Sequence, residues 1–182
     1  MFLQLTVVGS ARYDRPPSYY VFAGLVFCPL TLNYLESWGE DWALEAPAHL
    51  LAELERPASL PDEEIVVLVQ VLAAAVSEGY HELADEIVSS VDGVRPRNLS
   101  HFVELVEKGE GAFLRIGYRN DGREIVMRRD RARAASRGIL ARYGIGADRS
   151  PQPSTAPRGR GRAVVAQAAG TRASRARRAG RH

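Results

Sequence analysis

The chain has 182 residues, 46% of them hydrophobic and 25% charged, and a single cysteine. That size suits one ordinary domain with a tail or two very small domains. The lone thiol excludes an intramolecular disulfide framework, and the most apolar stretch, Glu64–Val76, is shorter than the roughly 20 residues a membrane helix needs. The formal charge of +2 conceals a division along the chain. Residues 1–92 carry 3 arginines and 15 acids (net −12), residues 93–149 carry 13 bases and 7 acids (net +6), and residues 150–182 carry 8 arginines and no acid (net +8). An acidic half alone avoids nucleic acid, whereas the basic half suits nucleic acid, an acidic membrane surface or the acidic half of another copy. Among the bases only Lys108 is a lysine, a bias that a GC-rich coding sequence also produces.

In chain order, Phe2–Val8 is rich in β-formers and reads as a strand, with Gly9–Ser18 as a loop. Tyr19–Cys28 is aromatic and β-branched, a strand covered on both faces that Pro29 ends and that pairs with the first as a hairpin. Cys28 reads as a buried, inert thiol. The N-terminus lacks the basic segment of a signal peptide, so a reducing, cytoplasmic setting is expected. Leu32–Leu44 spaces Leu35, Trp38 and Trp42 as a short amphipathic helix. Ala48–Glu55 forms another, stopped by Pro57.

Glu64–Val76 is apolar apart from Glu64 and Gln70, and an element hydrophobic all round must be buried. Its valines argue for a strand. Ser59 as a cap, Pro61 in the first turn, the acids Asp62, Glu63 and Glu64, and Gly79 as a stop argue for a helix. The capping signals predict a helix over Pro61–Glu78. Tyr80–Val91 places Leu83, Ala84, Ile87, Val88 and Val91 on one stripe and reads as a second helix, ended by Asp92-Gly93. Asn98 or Ser100 caps a third, to Lys108, with Leu99, Phe102, Val103 and Val106 inward. Asn120-Asp121-Gly122 is a strong turn signal, so Ala112–Met127 is a β-hairpin. Arg128–Tyr143 forms an arginine-rich helix, and from about Asp148 the Ser, Pro, Gly, Ala and Arg composition predicts disorder.

The expected fold class is therefore α+β in three parts. Residues 1–57 form an acidic strand–strand–helix part, 58–147 a helical core with a hairpin and a basic helix, and 148–182 a disordered tail. Helix, helix, helix, hairpin over 61–127 resembles a winged helix in element order. That resemblance implies a third helix in the DNA major groove and a wing on the backbone. Arg95, Arg97, Asn98 and His101 lie around the third helix, Arg115, Arg119 and Arg123 on the hairpin, and Arg128 and Arg129 just beyond. Glu104 and Glu107 on the same helix oppose that interface.

The expected function is a non-enzymatic nucleic-acid-binding regulator. The alternative is an adaptor, inhibitor or immunity-type protein whose acidic half engages a protein partner, with Trp38 and Trp42 as its anchors. Packing is the commoner role of such a pair. The pairs His49/Glu53 and His81/Asp85 share the i, i+4 spacing of metal ligands but lack a third partner. Gly109-Glu110-Gly111 lacks the length and lysine of a phosphate loop. No metal, cofactor or catalytic constellation is expected.

Overall fold

The computed structural model describes residues 6–9 and 16–151. Its strands are β1 (Tyr20–Phe22), β2 (Leu25–Pro29), β3 (Val66–Val71), β4 (Glu86–Val91), β5 (Phe113–Tyr118) and β6 (Glu124–Arg128). They make one antiparallel sheet in sequential order. The helices are α1 (Leu32–Glu36), α2 (Trp42–Glu45), α3 (Ala48–Leu51), α4 (Leu99–Lys108) and α5 (Arg129–Arg142), with a single 3-10 turn at Ala75–Ser77.

The winged-helix expectation is overturned at two of its three helices. Val66–Val71 is an interior strand, hydrogen-bonded to β2 and to β4. Val66 and Leu68 face a core shared with Phe27, Phe102, Leu114 and Ile116, whereas Val67 and Val69 face a second core with Leu30, Leu35, Leu50 and Ile87. A strand covered on both faces is apolar at every position, which is why the run looked hydrophobic all round. The acids taken for a helix start serve other elements. Glu64 accepts the Leu99 amide at the head of α4 (3.1 Å), and Glu63 binds Arg56 and Arg95.

Glu86–Val91 is likewise a strand. Its register against β5 shifts between Val88 and Ser90, and this irregularity brings Val88 and Val91 into the same core although they lie three residues apart. Such a bulge lends a strand the i, i+3 spacing of a helix. Tyr19–Cys28, expected as one strand, folds back on itself at Ala23-Gly24, where both residues have positive φ (51° and 88°). That is the backbone of a tight two-residue hairpin turn. Phe2–Leu5 lies outside the described residues, and Thr6 makes an isolated bridge to Pro57.

Other expectations hold. The hairpin is present as β5 and β6, turning at Asn120–Gly122, and Asn98 caps α4 by accepting the His101 amide at 2.8 Å. α4 and α5 cover one sheet face, and α1–α3 cover the other. The sheet runs through the boundary placed at residue 57, because β2 pairs with β3.

Arg129, expected as a contact for nucleic acid, is 2% exposed. Its guanidinium donates to the carbonyls of Val106 (2.7 Å) and Gly111 (3.1 Å) and pairs with Asp92, joining α4, the β4 turn, the start of β5 and α5. Gly109 makes room for it, since a Cβ there would lie 2.6 Å from a guanidinium nitrogen. Arg129→Ala is expected to destabilise the fold by about 2–4 kcal/mol, because buried carbonyls and Asp92 lose their donor. Gly109→Ala should produce part of that loss, and Arg137→Ala on the exposed face of α5 should stay within about 0.5 kcal/mol. Urea-unfolding midpoints of the three variants check this.

Candidate functional site

A strand at the end of a sheet leaves one row of backbone N–H and C=O groups without a sheet partner, a template for an added strand. β1 is the first of the six strands, with β2 as its one neighbour among them. Tyr20 and Phe22 are directed to β2 through the pairs Tyr20–Phe27 and Phe22–Leu25, so Tyr19, Val21 and Ala23 present their backbone outward. Alongside runs α5, whose Arg133, Ser136, Arg137, Leu140 and Ala141 form one wall of a groove, with Tyr20, Val21 and Phe22 as the other. The groove encloses about 640 Å³. Its lining is apolar at Val21, Phe22, Leu140 and Ile145 and mixed in charge, with Arg133 and Arg137 set against Glu107 and Asp148.

Local sequence explains the arrangement. The Ala23-Gly24 turn returns the chain into β2 at once and keeps β1 short, and Gly24 accepts the Leu72 amide at 2.7 Å, which locks the turn against the end of β3. Ala132 and Ile139 bury α5 against the sheet, leaving the groove-facing residues on the neighbouring stripe. Ser136 closes one end of the edge, its Oγ accepting the Ala23 amide at 3.0 Å while donating to the Ala132 carbonyl at 2.8 Å.

Beyond α5 the chain curls back. The Ile145 amide donates to the Leu140 carbonyl (2.9 Å), and Asp148–Ser150 runs antiparallel to β1 with Arg149 opposite Tyr20. Composition had placed these residues in the tail, and residues 152–182 lie outside the described part. The Arg149 guanidinium sits 5.2 Å from the centre of the Tyr20 ring and pairs with Asp148 and Glu107. Its hydrogen bond to Asp148 holds that carboxyl below the ordinary carboxylate range. Burial raises the Tyr20 phenol well above its usual value, and Glu107 adds to the rise.

The residues expected to contact nucleic acid do not converge on a surface of that kind. Arg95 pairs with Glu63 (3.1 Å), Arg119 with Glu53 (2.5 Å), Arg123 with Glu86 (2.8 Å), Arg128 with Asp130 (2.7 Å) and Arg115 with Glu124 (3.5 Å). Asn98 is the cap of α4, and His101 Nδ1 accepts the Arg97 amide (3.1 Å). Through these pairs Arg95, Arg115, Arg119 and Arg123 tie separate elements of the fold together. Trp38 and Trp42 are partly buried against the second core, and Trp38 meets Tyr34 edge-on at 5.3 Å. His49 Nε2 lies 2.7 Å from the Asp85 carbonyl oxygen, and Glu53 takes Arg56 and Arg119. None of these is in the groove. Sequence reasoning missed Tyr19–Ala23, Ser136 and Leu140. The available signal was an aromatic strand followed by Gly24, with a helix stripe of Ala, Ser and Leu far along the chain.

Ser136→Ala is expected to cost about 1–3 kcal/mol, because it strands the amide of Ala23, a fully buried residue. Hydrogen exchange at the Ala23 amide, alongside the denaturant midpoint, measures it.

Comparison with known proteins accords with this geometry. A family model described as "PDZ domain" matches residues 8–152, and the chain belongs to that family. It is 31% identical over 134 residues to the putative protease Do-like 12, mitochondrial, of Arabidopsis thaliana, covering 74% of this chain and 23% of that protein. It is 34% identical over 135 residues to the chloroplastic protease Do-like 2 of the same plant, covering 74% and 22%. A serine protease DegP homolog of Plasmodium falciparum is 27% identical over 102 residues, covering 56% of this chain and 11% of that one. The chain thus spans about a quarter or less of these relatives. PDZ domains are protein-interaction modules that add a peptide strand to a sheet edge. This membership corrects the winged-helix and nucleic-acid readings and favours the protein-partner alternative. Among the described residues no helix is long and apolar enough to cross a membrane.

Proposed function

We propose that this chain is a non-catalytic docking module that receives an extended segment of a partner polypeptide as an added strand along β1. The supporting observation is the pairing of an edge strand, whose Tyr19, Val21 and Ala23 backbone faces outward, with the groove wall of α5. Main-chain hydrogen bonds to the edge supply affinity that is indifferent to sequence, and side chains seated against Leu140, Ala141 and the arginines supply selection. The relatives that share this region are named as proteases. In such a setting the module holds polypeptide for a neighbouring unit and leaves bond cleavage to it. The acidic helices α1–α3 lie on the opposite face of the sheet and act as a cover for the second core.

The test is a display library of random peptides selected against the chain and titrated by fluorescence anisotropy. Leu140→Ser in the groove is expected to weaken selected peptides about tenfold, roughly 1.4 kcal/mol, by removing apolar contact. Leu44→Ser on the acidic helices, where Leu44 is 88% exposed, should leave them unchanged. The reverse pattern, loss with Leu44→Ser alone, would place the docking surface on α1–α3 and overturn the proposal.

A further inference from the structure

The edge of β1 beside the groove already holds a strand, and that strand belongs to the same chain. The Val21 amide donates to the Asp148 carbonyl (2.6 Å), the Ser150 amide donates to the Tyr19 carbonyl (3.1 Å), and the Tyr19 amide donates to Ser150 Oγ (3.2 Å). With Ala23 bound to Ser136, the edge that a partner strand needs is engaged over its length. Resting on the peptide-groove reading above, we propose that Asp148–Ser150 is a built-in competitor. It closes the site in cis and displays the ligand chemistry the site accepts, a strand with an arginine opposite Tyr20.

The arginine preference follows from register. Tyr20 and Arg149 are a directly opposed pair whose flanking residues, Tyr19 with Ser150 and Val21 with Asp148, make the hydrogen bonds. Side chains in such a pair stand closest together. The guanidinium is therefore delivered onto the face of the Tyr20 ring, where the ring quadrupole attracts it. Glu107 reaches across from α4 to the same guanidinium, and its carboxylate is the acidic group waiting at that spot. An incoming strand that offered an acid or an apolar residue there would leave Glu107 unpaired. An incoming arginine replaces Arg149 without that loss.

The closure is suited to exchange. It rests on two main-chain hydrogen bonds, one bond from the Tyr19 amide to Ser150 Oγ, and ion pairs whose side chains are more than a third exposed, each weak in water. Its strength comes from tethering, since a short linker gives an effective concentration on the order of millimolar. A partner consequently sees its affinity reduced by the fraction of molecules that are open. Anything that draws Asp148–Ser150 away from β1 raises that fraction.

The experiment uses the full chain and a fluorescein-labelled peptide of residues 145–151, Ile-Gly-Ala-Asp-Arg-Ser-Pro. Ser150→Pro removes an amide donor and a side-chain acceptor from the closing strand, and Arg149→Ala removes its anchor by a separate route. Both variants are expected to bind the peptide about tenfold more tightly than the unaltered chain. Their Val21 amide should exchange faster with solvent. In the Ser150→Pro background, Glu107→Gln should weaken this peptide and not a version carrying glutamine in place of arginine. Equal peptide affinity in the unaltered chain and both variants would overturn closure in cis. Equal binding of the arginine and glutamine peptides by Ser150→Pro would overturn the arginine preference. If Ser150→Pro, folded by circular dichroism, bound no member of the random-peptide display library either, the peptide-groove reading itself would fall.

Discussion

Burial of β3 on both faces is the constraint on which the rest of the structure depends. Val66 and Leu68 point into one core and Val67 and Val69 into the other, so each face must be covered. α4 and α5 supply one cover, and the α1–α3 segment supplies the other. An interior strand also needs hydrogen-bonding neighbours on both sides, which β2 and β4 provide. Placing α5 over the sheet then sets one of its stripes beside β1 and creates the groove. The site is thus a consequence of how the first core is roofed.

Charge follows a similar logic. The chain divides into an acidic half and a basic half in sequence, and the fold brings them together. Glu53 with Arg119, Glu63 with Arg95, Glu86 with Arg123 and Asp92 with Arg129 each join the two halves. Most of these pairs are partly exposed and individually modest. The Arg129 site differs because its guanidinium is enclosed and satisfies main-chain carbonyls as well as a carboxylate. Segregation along the chain suggests that the two halves attract different partners. Within the described residues it is largely a means of pairing the chain with itself.

The two ends of the sheet are managed differently. At β6 the Tyr80 hydroxyl both donates to the Val126 carbonyl and accepts its amide, each at 3.1 Å, and so covers the middle of that strand's outward backbone. At β1 the cover is a peptide segment, with a groove and a helix beside it. A side-chain plug on a part-buried tyrosine is a fixed feature of packing. A strand held by main-chain bonds, with Arg149 resting on a ring face and a carboxylate, is a replaceable one. That contrast supports the proposed exchange at the start of the sheet.

The amino-acid sequence by itself determined what is local. Asn98 capping α4, the inward stripe of Leu99, Phe102 and Val106, the Asn120–Gly122 turn and the arginine-rich helix were all legible from neighbours a few residues apart. Although Ala73 and Ala75 of Glu64–Val76 are exposed, the burial of Ile65–Val69 within that run was legible too, because hydrophobicity reports burial. Its secondary structure was not, since a strand sandwiched between two layers loses the alternation that marks a strand, and a bulge at Val88–Ser90 gave β4 a helical spacing. Of the site, only the aromatic character of Tyr19–Phe22 was visible. Ser136 and Arg149 reach β1 from 113 and 129 residues away, across Ala23 and Tyr20. Tertiary structure alone decided that meeting, because no short-range pattern encodes which edge of a sheet a distant helix and strand will close.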